Sequence, residues 1–150
     1  MNFRKKEKGI GLVELLVALA IAGIVTAMSV AAFSNLRNTD LVESASQEVV
    51  SALNQAGKWT IEGLNNSVYG VHIDPSAVTI FTGSTYQNAS NSNIVTPLPV
   101  GIFASATPAD YFFQRIYGTT TSGTIQVYVS SNQSYVRTIN VQPTGVSEEK

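Results

Sequence analysis

Apolar residues fall into three regimes along this 150-residue chain. They form a near-continuous run over residues 10–33, a stripe at steps of three and four over residues 42–59, and an alternation in twos from Ser67 onward. Residues 15–33 are 19 long and uncharged; as a helix rising ~1.5 Å per residue they extend roughly 28 Å, close to the hydrocarbon thickness of a bilayer. In the second regime Val42, Ala45, Val49, Ala52, Ala56 and Trp59 share one helical face, and Arg37, Asp40, Glu43, Ser44, Glu48 and Asn54 occupy the other. No proline interrupts residues 35–62, so the pattern predicts one helix from about Ile10 to about Glu62, on the order of 80 Å long. It should stop near Gly63, with Lys58 well placed against the C-terminal dipole. Gly57 marks a candidate bend, since glycine costs up to ~1 kcal/mol relative to alanine there.

The third regime predicts strands. Residues 68–73 and 78–82 alternate and flank Asp74-Pro75-Ser76-Ala77, a turn sequence of the kind that joins an antiparallel hairpin. Residues 111–117, 124–129 and 135–141 are expected to form a meander, separated by connectors rich in turn formers. Between the two sets, residues 83–110 are rich in Ser, Asn, Thr, Ala and Pro, with apolar islands at Ile94-Val95 and Ile102-Phe103. A loop of that length suggests binding or disorder, and the islands are candidates for short strands or a partner-facing edge. The expected fold class is α+β: a long N-terminal helix, half transmembrane and half amphipathic, packed against a C-terminal antiparallel β-sheet domain.

Charge adds direction. Arg4, Lys5, Lys6 and Lys8 precede the apolar run against Glu7, whereas Arg37 beyond it is balanced by Asp40 and Glu43. The positive flank should stay cytoplasmic and the bulk of the chain should lie outside the inner membrane. One acid, Glu14, stands at the edge of the run. A carboxylate at mid-bilayer costs about 2.5–3.5 kcal/mol on insertion scales, so its presence asks for a cationic partner, and the segment holds no Lys or Arg. Cutting the chain after Gly9 would create one, because the new amine of Ile10 would lie one helical turn before Glu14, on the same helix or a neighbouring one.

The residues Lys8-Gly9, followed by Ile10-Gly11-Leu12-Val13-Glu14-Leu15-Leu16, resemble the class III signal of type IV prepilins and pseudopilins. The resemblance implies cleavage after Gly9 by a prepilin peptidase, N-methylation of Ile10, and pairing of Glu14 with the N-terminal amine of an adjacent subunit during assembly. Ile10 stands where the family most often has Phe, and the helix-bending proline of major pilins is missing between Gly9 and Pro75, which favours a minor pilin or pseudopilin. Residues 123–129 and 135–141, followed by Pro143-Thr144-Gly145, are similar to the terminal strands of GspH-type pseudopilins and FimT-type minor pilins. Some of the latter bind DNA through a Gly-Arg-x-Arg tail; here the matching positions are Gly145-Val146-Ser147-Glu148, then Glu149, with both arginines missing.

The boundaries that follow are a leader at residues 1–9, a transmembrane assembly helix at 10–33, an amphipathic helix at 34–63, and a β-rich periplasmic or extracellular domain at 64–150. The implied role is a non-enzymatic subunit of a type IV pilus-like or type II secretion fibre. Its implied partners are other pilin subunits, the peptidase, the bilayer, and an inner-membrane assembly platform with its ATPase motor. Two alternatives belong to other classes: a fibre-tip module for adhesion or DNA uptake using residues 83–110, and a soluble β domain released by ordinary signal peptidase after Ala22 or near Ala32.

Candidate chemistry is sparse. Loss of residues 1–9 leaves five basic and nine acidic side chains, a balance near −4 that suits nucleic acid poorly. The chain has no cysteine, which excludes thiol redox or thiolate metal sites. His72 is the only histidine and is expected on a strand as a surface or partly packed residue, and Asp74 and Asp110 lack a clustered third acid for a calcium loop. No cofactor is expected, and the many hydroxyls lack an activating base.

Overall fold

The computed structural model describes residues 11–130 and 132–149. Helix α1 spans Leu12–Glu62, and the chain divides into two compact units at Arg37 and Asn38. The first unit is the exposed apolar part of α1, where Leu12, Leu16, Leu19, Ile24 and Met28 all face outward. Thr26 Oγ1 donates to the carbonyls of Ala22 and Gly23 at 3.0 and 2.9 Å, and Ser29 Oγ to that of Val25 at 2.9 Å. Both hydroxyls are thus satisfied inside the helix, as an apolar solvent requires.

In the second unit α1 turns amphipathic. Val42, Ala45, Val49, Ala52 and Ala56 are buried as the stripe predicts, with Trp59 partly so; Ser46, Leu53 and Thr60 join them. Gly63 ends the helix in the left-handed region at φ 65°, which glycine enters without the clash a Cβ would create. A 3-10 turn, Leu64–Asn66, follows.

Among the described residues, eight strands make two antiparallel sheets. The first, in order β3-β2-β1-β5, contains β1 Tyr69–Asp74, β2 Ala77–Thr82, β3 Ile94–Pro97 and β5 Asp110–Phe112. The second, in order β4-β6-β7-β8, contains β4 Ile102–Thr107, β6 Gly123–Val129, β7 Asn132–Val141 and β8 Ser147–Glu149. The expected hairpin is β1–β2, closed by Pro75-Ser76 with Asp74 opposite Ala77. The architecture is α+β.

The expected meander differs from the observed sheets. Only two residues of its first member, Tyr111 and Phe112, extend, as part of β5, and they pair with β1 in the other sheet, Tyr111 opposite Val71. Beyond Phe113 the backbone closes on itself: Gln114 N donates to Thr119 O at 2.8 Å, Gly118 N to Gln114 O at 3.0 Å, and Ile116 has φ 79°. Alternation in sequence therefore did not mean extension there. The strand beside β6 is instead β4, whose island Ile102-Phe103 continues through small residues, with Ile102 and Ala104 buried. The other island, Ile94-Val95, begins β3.

The core of this unit joins the helix stripe to both sheets, through Val71, Ile73, Val78 and Ile80 on one and Ile125, Val127, Ile139 and Val141 on the other. Three contacts fix the helix against the strands. Gly57 faces the Phe113 ring, whose nearest atoms an added Cβ would meet at 3.4 Å, an ordinary van der Waals contact. Thr60 Oγ1 donates to Ala56 O at 2.9 Å and accepts from Tyr69 N at 2.9 Å. Arg137 Nε donates to Glu43 Oε2 at 3.0 Å.

Candidate processing and assembly site

The residues expected to carry processing, Gly9 and Ile10, lie outside the described residues. Their neighbour Glu14 stands in the first turn of α1, where its N–H and that of Leu15 donate to Gly11 O at 3.0 and 3.2 Å. A carboxylate in a first turn meets the positive end of the helix dipole. Glu14 is exposed, and no ion pair to it is found among the described residues. The window that contains it, Leu12–Ser29, is long and apolar enough to cross a bilayer, and none of that window is buried. A Cβ added at Gly11 or Gly23 would meet nothing within 4 Å, so neither glycine is needed for packing inside this chain. Both leave room for another helix to approach closely.

A second cluster, on the outer face of the β3-β2-β1-β5 sheet, was not apparent from spacing. His72 and Asp110 are opposed in register, and their Nδ1 and Oδ1 atoms lie 2.5 Å apart. Asp74 Oδ1 is 3.4 Å from His72 Nε2. The imidazole stacks on Tyr86 with centroids 3.8 Å apart and planes 8° from parallel. Tyr86 also meets Phe81 edge-on at 5.6 Å. Phe81 in turn covers Gly70, where an added Cβ would fall 2.4 Å from its ring. Only glycine fits beneath that ring. The two carboxylates flank opposite nitrogens instead of converging, and no group of three metal-ligating side chains occurs among the described residues. The cluster therefore anchors the β2–β3 connection over the sheet. The signal that could have found it is the alternation of β1, which puts Gly70, His72 and Asp74 on one face.

A family profile, the prokaryotic N-terminal methylation motif, matches residues 4–30. Among solved structures, the type IV minor pilin FimU of Pseudomonas aeruginosa is 14% identical, with TM-score 0.57 over 73% of this chain and 87% of that one. The minor pseudopilin EpsH from the type 2 secretion system of Vibrio cholerae is 18% identical, with TM-score 0.54 over 73% of this chain and 95% of that one. The fold is that of minor pilins and pseudopilins. No curated protein matches the chain. The methylation motif ends at residue 30, and the sheets begin at Tyr69.

Proposed function

We propose that this chain is a structural, non-enzymatic subunit of a type IV pilus-like or type II secretion pseudopilus fibre, in the manner of a minor pilin or pseudopilin. The observation that carries the reading is the exposed apolar helix with one acid, Glu14, in its first turn, lying inside the matched methylation motif. In this reading a prepilin peptidase cuts after Gly9, Ile10 is N-methylated, and Glu14 receives the amine of a neighbouring subunit. Leu12 to Phe33 waits in the inner membrane, leader on the cytoplasmic side, and then exchanges lipid for the helices of other subunits. Helix packing replaces lipid contact at similar free energy, so direction must come from outside, from a membrane platform and its ATPase. The pilin-like fold supports the reading independently of the motif.

Mass spectrometry of the chain from native membranes tests it. A chain beginning at N-methylated Ile10 is expected; a start at Met1 or beyond Ala22 would sink the proposal.

A further inference from the structure

His72 and Asp74 stand two positions apart on β1, so both side chains rise from the outer face of the sheet. Asp110, opposite His72 in the β1–β5 ladder, holds the imidazole from one side, its Oδ1 2.5 Å from Nδ1. On the other side Nε2 lies 3.4 Å from Asp74 Oδ1. Tyr86 stacks on the face of the ring, 8° from parallel, and so restrains it without standing in the plane along which Nε2 points.

A neutral imidazole has one N–H and one lone pair. With Nδ1–H donating to Asp110, the lone pair of Nε2 meets a carboxylate oxygen of Asp74. Two acceptors placed like this repel each other unless a cation lies between them. A proton on Nε2 would draw the pair into a charge-assisted bond of about 2.7–2.9 Å, and 3.4 Å is too long for one. The spacing suits a larger cation. Zinc bonds to histidine nitrogen at about 2.0–2.1 Å and to carboxylate oxygen at about 2.0–2.2 Å, which at a tetrahedral angle sets the two donors about 3.3–3.5 Å apart. A right-angled shell at similar bond lengths would need about 2.9–3.0 Å.

We infer that His72 Nε2 and Asp74 Oδ1 are two ligands of a zinc site, with Asp110 as the positioning residue that fixes the ring through Nδ1. A carboxylate on the second nitrogen of a ligating histidine is the usual support of such a ligand, setting its tautomer and raising its basicity. Calcium and magnesium take oxygen donors, so the imidazole selects against them. The Asp74 and Asp110 side chains are 45% and 51% exposed, which leaves the other half of the shell open to water. The site does not depend on the fibre reading, because all of its residues belong to the first sheet.

The test uses the full chain, without a histidine tag, in phosphocholine micelles, with zinc chloride as the probe. His72 is the only histidine, so nitrogen NMR of histidine-labelled protein reports on this one ring. Submillimolar zinc should shift the Nε2 resonance while Nδ1 keeps its proton. Asp74→Asn, which suits the same turn, should weaken binding at least tenfold. Asp110→Ala should also weaken it at least tenfold, and Asp110→Asn, which retains an acceptor oxygen, should recover most of the loss. Glu62→Gln, an exposed carboxylate elsewhere, should leave binding within twofold. No zinc-dependent shift, a shift at Nδ1 in place of Nε2, equal binding of calcium or magnesium chloride, or indifference to Asp74→Asn would overturn the inference. N-terminal processing is read separately by mass, so failure here and failure of the fibre reading are distinguishable.

Discussion

Thr60 is the residue on which the helix and the first strand meet. Its hydroxyl spends its proton on Ala56 O and its lone pair on Tyr69 N, and the side chain is fully buried. Thr60→Val keeps the shape and orphans the Tyr69 amide, so denaturant titration should find about 1–3 kcal/mol lost. Tyr111 is the opposite case. Its hydroxyl is buried without a partner among the described residues, and burial raises its pKa to about 12. An unfolded tyrosine ionises near pH 10. Between those values the unfolded chain releases a proton that the folded chain retains, so stability falls as pH rises from about 10, by about 2–3 kcal/mol once above 12. Tyr111→Phe removes that loss and leaves no orphan. Its stability at neutral pH should equal or exceed the parent's, and its melting temperature should fall less between pH 9 and 11.

At the scale of elements, α1 was legible because two different signals run through it. Continuous apolarity and then a stripe at helical spacing both predict helix, and Gly63 supplies the stop. Gly57, which reads as a bend, packs beside the Phe113 ring, 56 positions away, a neighbour its own sequence surroundings do not reveal. The hairpin was legible from Asp74-Pro75-Ser76-Ala77. β4 was visible only as its Ile102-Phe103 island because Ala and Ser carry little pattern, and β5 was overread because Ile116 and Tyr117 are apolar yet exposed on a closed loop. Glu14 stands out in the sequence by its isolation in an apolar run, and its docking role belongs to the proposed function. The His72 cluster depends on register across 38 residues, which one strand's sequence does not encode. The same isolation makes Glu14→Leu informative. The variant should enter membranes and be processed normally, and its incorporation into sheared fibres should drop at least tenfold; normal incorporation would remove the electrostatic docking argument.

For the whole molecule, two four-stranded sheets present four outer strands, and each is defended. β5 and β8 are three residues long, and β8 carries Glu148; β3 ends at Pro97, which has no N–H to offer. β4 has its Ala104 amide occupied by Pro75 O at 2.9 Å. Pro97→Val should therefore make the purified chain self-associate, read by light scattering, with little change in melting temperature. Under the proposed function, subunits stored side by side in a membrane would be at high local concentration, where an open strand would invite uncontrolled pairing. Blunted edges would keep such a reservoir monomeric, and leave the choice of when to polymerise with the helix.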